Sequence, residues 1–340
     1  MTAFTVVVVT HNSAAVIRDC LASIRGSMPA GAEIIVVDNG SSDQTVASVA
    51  GAIPRQQILE CGDNRGFGYG CNRGASRGSG EWIVFLNPDC VLRSFDQNAW
   101  DVAISRPGVG AVGFRTIDGS GDDSRMRVLR NEPPLLCPAL QYSWGVTLPK
   151  HFHTRLSAFH VKDRCAPSRR AQQRKAWLSG AALAVNRVAW EQVGGFDEGF
   201  FLYSEDIDLC TRLRKAGWML IGSSCIEVSH SSGQSFGDPS SVRRLAFGVA
   251  GWLTYVNKWR GRRTAGAAYR FFRMNCQAAR AALLVACIFR PRLRARALAK
   301  RRDLEDLLTL LSGSRSPASG APGVDLAGLV RLALGAEQPR

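Results

Sequence analysis

The sequence predicts an α/β fold with a parallel sheet in its N-terminal part, and three observations carry that prediction. Residues 4–10 (FTVVVVT) form an almost unbroken β-branched run, which suits a strand buried on both faces. Residues 34–37 (IIVV) repeat that character after a segment of helical periodicity. Strand, helix, strand and helix then follow one another at the spacing of a βαβ series.

Taken in order, the first helix is read from Val16, Ile17, Cys20, Leu21 and Ile24, opened by Asn12-Ser13 and ending near Gly26. The second strand stops at Asp38 and passes through the turn-rich NGSSD into another helix. Further strands are expected at 57–60 and 82–86, with the Gly-rich DNRGFGYGCNRGASRGSG between them beginning a helix in its centre. Residues 1–115 therefore read as a doubly wound, nucleotide-binding half, with its crevice at the carboxyl ends of the strands. From about 118 to 176 the pattern weakens into a loop-rich insertion with a basic run at 164–175. Order returns at 177–218, with a strand, a helix, a turn and a second helix from Glu205 to Ala216. Ser204 is its expected N-cap, acids fill its first turn, Arg212, Arg214 and Lys215 lie near its end, and Gly217 stops it. After Ser240 the chain is basic and helical. Beyond about 311 it reads as a flexible linker before a short apolar tail helix.

Composition sets the class. Of 340 residues, 46% are hydrophobic and 21% charged, a balance that supports a large packed domain or two and excludes disorder for most of the chain. The net charge of +15 is concentrated: residues 241–340 hold 19 basic and 5 acidic side chains, so residues 1–240 carry only +1. The positive charge belongs to a C-terminal module facing an anionic partner. Seven arginines and lysines fall within 290–302, and Arg270, Arg273, Gln277 and Arg280 share one helical face beside Phe271, Phe272, Leu283 and Leu284. An anionic lipid surface is the expected partner, against a plain solvated helical face; nucleic acid is not expected, because no recognised binding motif accompanies the charge. The start, MTAFTVVVVTHNS, lacks a basic segment ahead of its short apolar run, so no signal peptide is expected. The longest later apolar stretch, 281–289, is too short to span a bilayer, so no transmembrane helix is expected either. Ten scattered cysteines without a CxxC pair read as reduced packing residues of a cytosolic protein.

Three polar clusters converge on one rim of the expected sheet: Thr10-His11-Asn12 after the first strand, Asp38-Asn39-Gly40 after the second, and Asn87-Pro88-Asp89 after the fourth. A carboxylate such as Asp38 can bind a base or ribose edge, and one such as Asp89 can hold a divalent cation against a diphosphate. Loop capping by Asn and Asp is the competing reading of each cluster alone. The segment Gly66-Phe67-Gly68-Tyr69-Gly70 lacks the third glycine of GxGxxG, and no GxxxxGK[ST] occurs, which argues against a dinucleotide dehydrogenase and a P-loop NTPase.

As an ordered set, VVVVTHNS, VVDNGSSDQT, NRGFGYGCNRG, FLNPDC, WLSGAALAVNR, GGFDEGFF and YSEDIDLCTRLRKAGW resemble the family 2 glycosyltransferases of the GT-A fold, especially their rhamnosyltransferase-like branch. The resemblance covers residues 3–235 and implies a Rossmann-like mixed sheet flanked by helices, with a basic helical extension. It divides the chain into a catalytic domain over 1–240 (nucleotide-binding half 1–115, acceptor half 116–240), a membrane-associating extension over 241–310, and a linker with tail helix over 311–340. By the same resemblance, Thr10, Asn12 and Asp38 hold base and ribose, with His11 stacking on the base and Asn39 and Gly66 beside them. Asn64, Asn72 and Asn87 shape the donor pocket; Asp89 and His230 hold Mg²⁺ or Mn²⁺; Asp206 is the catalytic base; Trp177, Gly180 and Glu205 meet the acceptor.

The implied reaction is inverting transfer of a sugar, rhamnose first, from a dTDP- or UDP-linked donor to a lipid-linked saccharide at the inner membrane face. Another sugar, a polyprenyl phosphate acceptor or an inactive scaffold are the alternatives. Two positions depart from the pattern: one carboxylate, Asp89, stands where relatives often carry a pair of aspartates, and His11 stands where an aromatic is frequent. Taken alone, acids in a first helical turn need no catalytic role, a single histidine is often a hydrogen-bonded loop residue, Trp177 fits a core, and Gly180 fits a tight turn.

Overall fold

In a computed structural model the chain is described over residues 3–118, 129–132, 135–144, 176–230, 241–289 and 294–312, and at 328 and 330. It divides into two compact units. One comprises 1–132, 160–198 and 205–239; the other 133–159, 199–204 and 240–340. The division differs from a single boundary at 240, because two stretches of the expected acceptor half group with the C-terminal helices.

The first unit is built on an eight-stranded mixed sheet. Strand β1 (Phe4–Thr10) is buried along its whole length, as its β-branched run requires. It lies parallel to β2 (Glu33–Asp38) on one side and to β4 (Trp82–Leu86) on the other, and β3 (Ile58–Glu60) extends the sheet parallel to β2. Beyond β4 the direction changes: β9 (Ala182–Asn186) runs antiparallel to both β4 and β6 (Val109–Asp118). The long β10 (Met219–His230) is parallel to β6 and antiparallel to the edge strand β5 (Cys90–Phe95), giving the order β3-β2-β1-β4-β9-β6-β10-β5. Alternate residues supply two cores on opposite faces. Val6, Val8 and Val36 join one with Trp100; Val7, Val9, Ile35 and Val37 join the other with Phe85 and Phe196. A separate small ribbon pairs β7 (Leu129–Asn131) with β8 (Ala176–Leu178).

Helix α1 (Ile17–Ser27) buries Ile17, Cys20, Leu21 and Ile24, the stripe read from the sequence. After α2 (Thr45–Ala50), helix α3 (Phe67–Arg77) accounts for the Gly-rich segment in physical terms: Gly68, Gly70 and Gly74 form its buried face. A Cβ on Gly74 would lie 2.3 Å from Val7 Cγ1, and one on Gly70 2.6 Å from Val9 Cγ1. These glycines let a helix backbone lie directly on two β-branched strand residues. Gly74→Ala is therefore expected to destabilise the fold by about 1–3 kcal/mol through overpacking, measurable as a lower urea midpoint with unchanged m. Helices α4 (Gln97–Ile104) and α6 (Arg187–Val193) flank the sheet, and α7 (Glu205–Lys215) carries the acidic pair. Ser204 is not an N-cap in the expected extended conformation: Tyr203 and Ser204 both have positive φ, 66° and 70°.

The second unit packs α5 (Cys137–Trp144), α8 (Ser241–Arg260), α9 (Arg262–Phe289) and α10 (Arg294–Ser312) around Phe247, Leu253, Phe272, Leu304 and Leu307. The expectation drawn from 281–289 alone is corrected in one respect. The whole of α9 is 28 residues long, and its most apolar 18-residue window has a mean hydropathy of 1.2, enough by length and composition to cross a membrane. The expected linker and most of the tail helix, and most of 118–176, lie outside the described residues. The nine described cysteines are all free, six of them buried.

Candidate active site

The parallel strands deliver their carboxyl ends to one rim. Register places Thr10 opposite Asp38 and Asp38 opposite Glu60, so the loops after β1, β2 and β3 meet. Asp38 is 4% exposed, and its carboxylate accepts hydrogen bonds from Thr10 Oγ1 (3.1 Å), Ser41 Oγ (2.5 Å) and the Ser41 amide (3.0 Å). Asn12 is in the left-handed region at φ 51°, and its Oδ1 accepts from the Ser42 amide at 2.8 Å. His11 Nδ1 lies 3.0 Å from the Asn39 carbonyl, which fixes the ring above this loop pair. Asn39 donates through Nδ2 to Asn64 Oδ1 (3.1 Å) and to the Gly66 carbonyl (2.9 Å), while Asn64 Oδ1 also accepts from the Gly66 amide. Thr10, His11, Asn12, Asp38, Asn39, Asn64 and Gly66 are thus one hydrogen-bonded cluster. Asn72 is engaged elsewhere: its amide is held by Phe196 N and O and by Glu198 Oε1, all at 2.9 Å, so it clips α3 to the GGFDE turn.

The second cluster is built by strand pairing across the far edge. Antiparallel pairing of β10 with β5 sets His230 opposite Cys90 and brings His230 Nε2 to 3.1 Å from Asp89 Oδ1. Residues 141 apart in sequence thereby share one site. The ligand atoms of Asp89, Cys90 and His230 lie within 4.8 Å of one another. Burial, and then the Asp89 charge, push the Cys90 thiol well above its ordinary range, and its Sγ donates to the Ala181 carbonyl at 3.3 Å. With the Cys90 thiol turned to the Ala181 carbonyl, the Asp89 carboxylate and the His230 imidazole are the donors that would suit Mn²⁺, Mg²⁺ or a similar divalent ion.

The third cluster is the start of α7. Asp206 Oδ2 accepts from the Gly180 amide at 3.0 Å and Oδ1 from the Ile207 amide at 2.8 Å. A Cβ on Gly180 would come within 3.3 Å of Asp206 Cβ, so a side chain there would crowd the acid. Its neighbour Glu205 is only 5% exposed; burial, and then the Asp206 charge, push its carboxyl well above the ordinary range. Trp177 is half-buried on β8 against the core that contains Phe196 and Leu209.

Gly180-Ala181 joins the second and third clusters. On one side the Gly180 amide holds Asp206; on the other the Ala181 carbonyl accepts from the Asn87 amide at 2.9 Å and from Cys90 Sγ. Two consecutive residues therefore tie the Asn87-Pro88-Asp89 turn to the acid of α7. Ala181, Cys90 and Ser41 were not singled out by sequence reasoning. Only FLNPDC and WLSGAA, read as a pair, contain the signal.

The profile described as Glycosyl transferase family 2 matches residues 5–176. The chain belongs to that family. It is 34% identical over 251 residues, 69% of this chain and 78% of the relative, to an N-acetylglucosaminyl-diphospho-decaprenol L-rhamnosyltransferase of Mycobacterium tuberculosis. Two solved structures share its fold. One is the Mannosyltransferase PcManGT of Pyrobaculum calidifontis in complex with GDP-Man and Mn²⁺ (TM-score 0.50, 19% identity, covering 98% of this chain and 86% of that one). The other is GalNAc-T7 with UDP, GalNAc and Mn²⁺ (TM-score 0.52, 15% identity, covering 76% of this chain and 48% of that one). This family 2 glycosyltransferase therefore has the GT-A type of α/β fold, as its motifs imply.

Proposed function

We propose that this glycosyltransferase moves rhamnose from a dTDP- or UDP-linked donor onto a lipid-linked saccharide at the inner face of the cell membrane, with inversion at the anomeric carbon. The supporting observation is the Gly180-Ala181 link, which holds an acid and a cation-type donor pair in fixed relation on the rim that carries the Asp38 cluster. The choice of rhamnose and of a lipid-linked acceptor follows the Mycobacterium relative.

In this reading Asp38 offers its carboxylate to the base or ribose, oriented by Thr10 and Ser41, and His11 stacks on the base. Asn39, Asn64 and Gly66 keep that pocket in shape, and Asn87 borders the diphosphate. Asp89 and His230 would hold Mg²⁺ or Mn²⁺, which when bound neutralises charge on the departing diphosphate. Asp206 takes the proton from the acceptor hydroxyl as its oxygen attacks from the face opposite the leaving group. Trp177 floors the acceptor, and Gly180 leaves room for it. Glu205, whose burial disfavours the charged form, meets the acceptor as a packing carboxyl or hydrogen-bond partner rather than as a second base.

Calorimetric titration with dTDP, UDP and GDP, each with and without Mn²⁺, tests the donor half of this reading. Metal-dependent binding of a pyrimidine diphosphate is expected. Absence of binding by any of the three in a folded sample would overturn it.

A further inference from the structure

Of the basic face expected at Arg270, Arg273, Gln277 and Arg280, the structure leaves the first three exposed and Arg280 part-buried. Arg280 turns toward α10, with Nη2 2.6 Å from Glu305 Oε1, and Arg273 lies against the Tyr269 ring at 6.0 Å. Bare apolar surface lies at the far end of α9. Leu284, Val285, Ile288 and Phe289 are 42%, 53%, 72% and 77% exposed, and their spacings of three and four gather them over the last two turns. The start of α10 lies beside that end, since Cys287 Sγ approaches the Arg294 carbonyl at 3.9 Å. There Leu298 is 37% exposed, and Arg294 and Arg296 are both exposed. The α9–α10 pair thus ends in four adjacent bare apolar side chains with arginines next to them.

We infer that this end of the α9–α10 pair is a lipid-insertion tip: Leu284, Val285, Ile288, Phe289 and Leu298 enter the acyl boundary of an anionic bilayer while Arg294 and Arg296 meet its phosphates. Charge selects this occupant over a second copy of the chain. Residues 241–312 hold 16 basic and 3 acidic side chains, so two such surfaces repel, whereas an anionic leaflet attracts them. Insertion is shallow, because one face of α9 is committed to protein: Phe272, Cys276 and Ala279 are fully buried in the helical core, and Arg280 is paired with Glu305. A helix with those commitments does not cross the bilayer as a lone span. The inference rests on the proposed membrane-face reaction for its biological setting, and its physical test is independent of that reaction.

The test is sedimentation of the full chain with phosphatidylcholine vesicles with and without phosphatidylglycerol, for the wild type, Ile288→Asp/Phe289→Asp and Arg294→Ala/Arg296→Ala. The wild type is expected to pellet with the anionic vesicles and to be released by alkaline carbonate. Each double variant is expected to weaken binding about tenfold or more, the arginine pair losing most of the preference for phosphatidylglycerol. Circular dichroism checks folding, and the arginine variant, altered only at exposed positions, carries the test if the aspartate variant misfolds. Vesicle binding unchanged in the variants would overturn the proposal. So would carbonate-resistant wild-type protein, which marks a span, or a wild-type dimer that the aspartate pair makes monomeric, which marks a chain–chain interface. Transfer to an acceptor lacking its lipid is expected to be unaffected in these variants. Loss of transfer with intact vesicle binding in the wild type would count against the reaction and leave the tip standing.

Discussion

Asp206→Asn is expected to lower kcat for sugar transfer by about 10³-fold while leaving nucleotide affinity within twofold of wild type, because it removes only the proposed proton acceptor. The amide keeps an oxygen for the Gly180 or Ile207 amide, so the start of α7 stays in place. Its neighbour is the internal control. Glu205 is buried, and its carboxyl is held above the ordinary range, so Glu205→Gln keeps the shape of a side chain whose setting disfavours charge. That variant is expected to retain kcat within a few-fold. Steady-state kinetics on both variants, with calorimetry for nucleotide binding, separate the roles. Equal losses in the two would mean that the pair acts as a unit, and an active Asp206→Asn would remove Asp206 from the base role.

The second large effect is expected at Asp89. Asp89→Ala removes the one carboxylate of the Asp89–His230 pair, and with a single imidazole remaining the site should lose its divalent ion. Nucleoside diphosphate binding in the presence of Mn²⁺ should fall about a hundredfold, to the affinity measured without metal. His230→Ala should produce a smaller loss of the same kind. Manganese electron paramagnetic resonance on the protein without nucleotide gives a readout independent of turnover. An Asp89→Ala protein that holds Mn²⁺ as the wild type does would place the ion elsewhere.

The parts of this molecule legible in its sequence are those set by local pattern. The β-branched run of Phe4–Thr10 and the 3.6-residue stripe of α1 each fix an element within a few residues, because burial leaves no other arrangement. The antiparallel insertion of β9 between β4 and β6 is not legible that way; it depends on pairing across about 100 residues of chain. The same limit applies to the site. Asp38 and Asp206 announce themselves by position after a strand and at a helix start. Their settings do not: the Gly180-Ala181 link and the His230–Asp89 approach are products of strand register. Asn72 illustrates the converse. Its motif points to the donor pocket, yet three hydrogen bonds commit it to the turn at Phe196–Glu198. On the basic helical face, Arg270, Arg273 and Gln277 are exposed as periodicity groups them, but periodicity is silent about Glu305 on the next helix, which draws in Arg280.

The most direct test of the account is mass spectrometry of a lipid-linked N-acetylglucosamine diphosphate incubated with the protein, Mn²⁺ and a panel of nucleotide-linked sugars. The account predicts addition of one deoxyhexose from dTDP-rhamnose, its loss with EDTA, and its loss in Asp206→Asn. Addition of a different sugar from another donor would contradict the rhamnose assignment, and no addition from any donor by a folded, nucleotide-binding protein would contradict the proposed reaction itself.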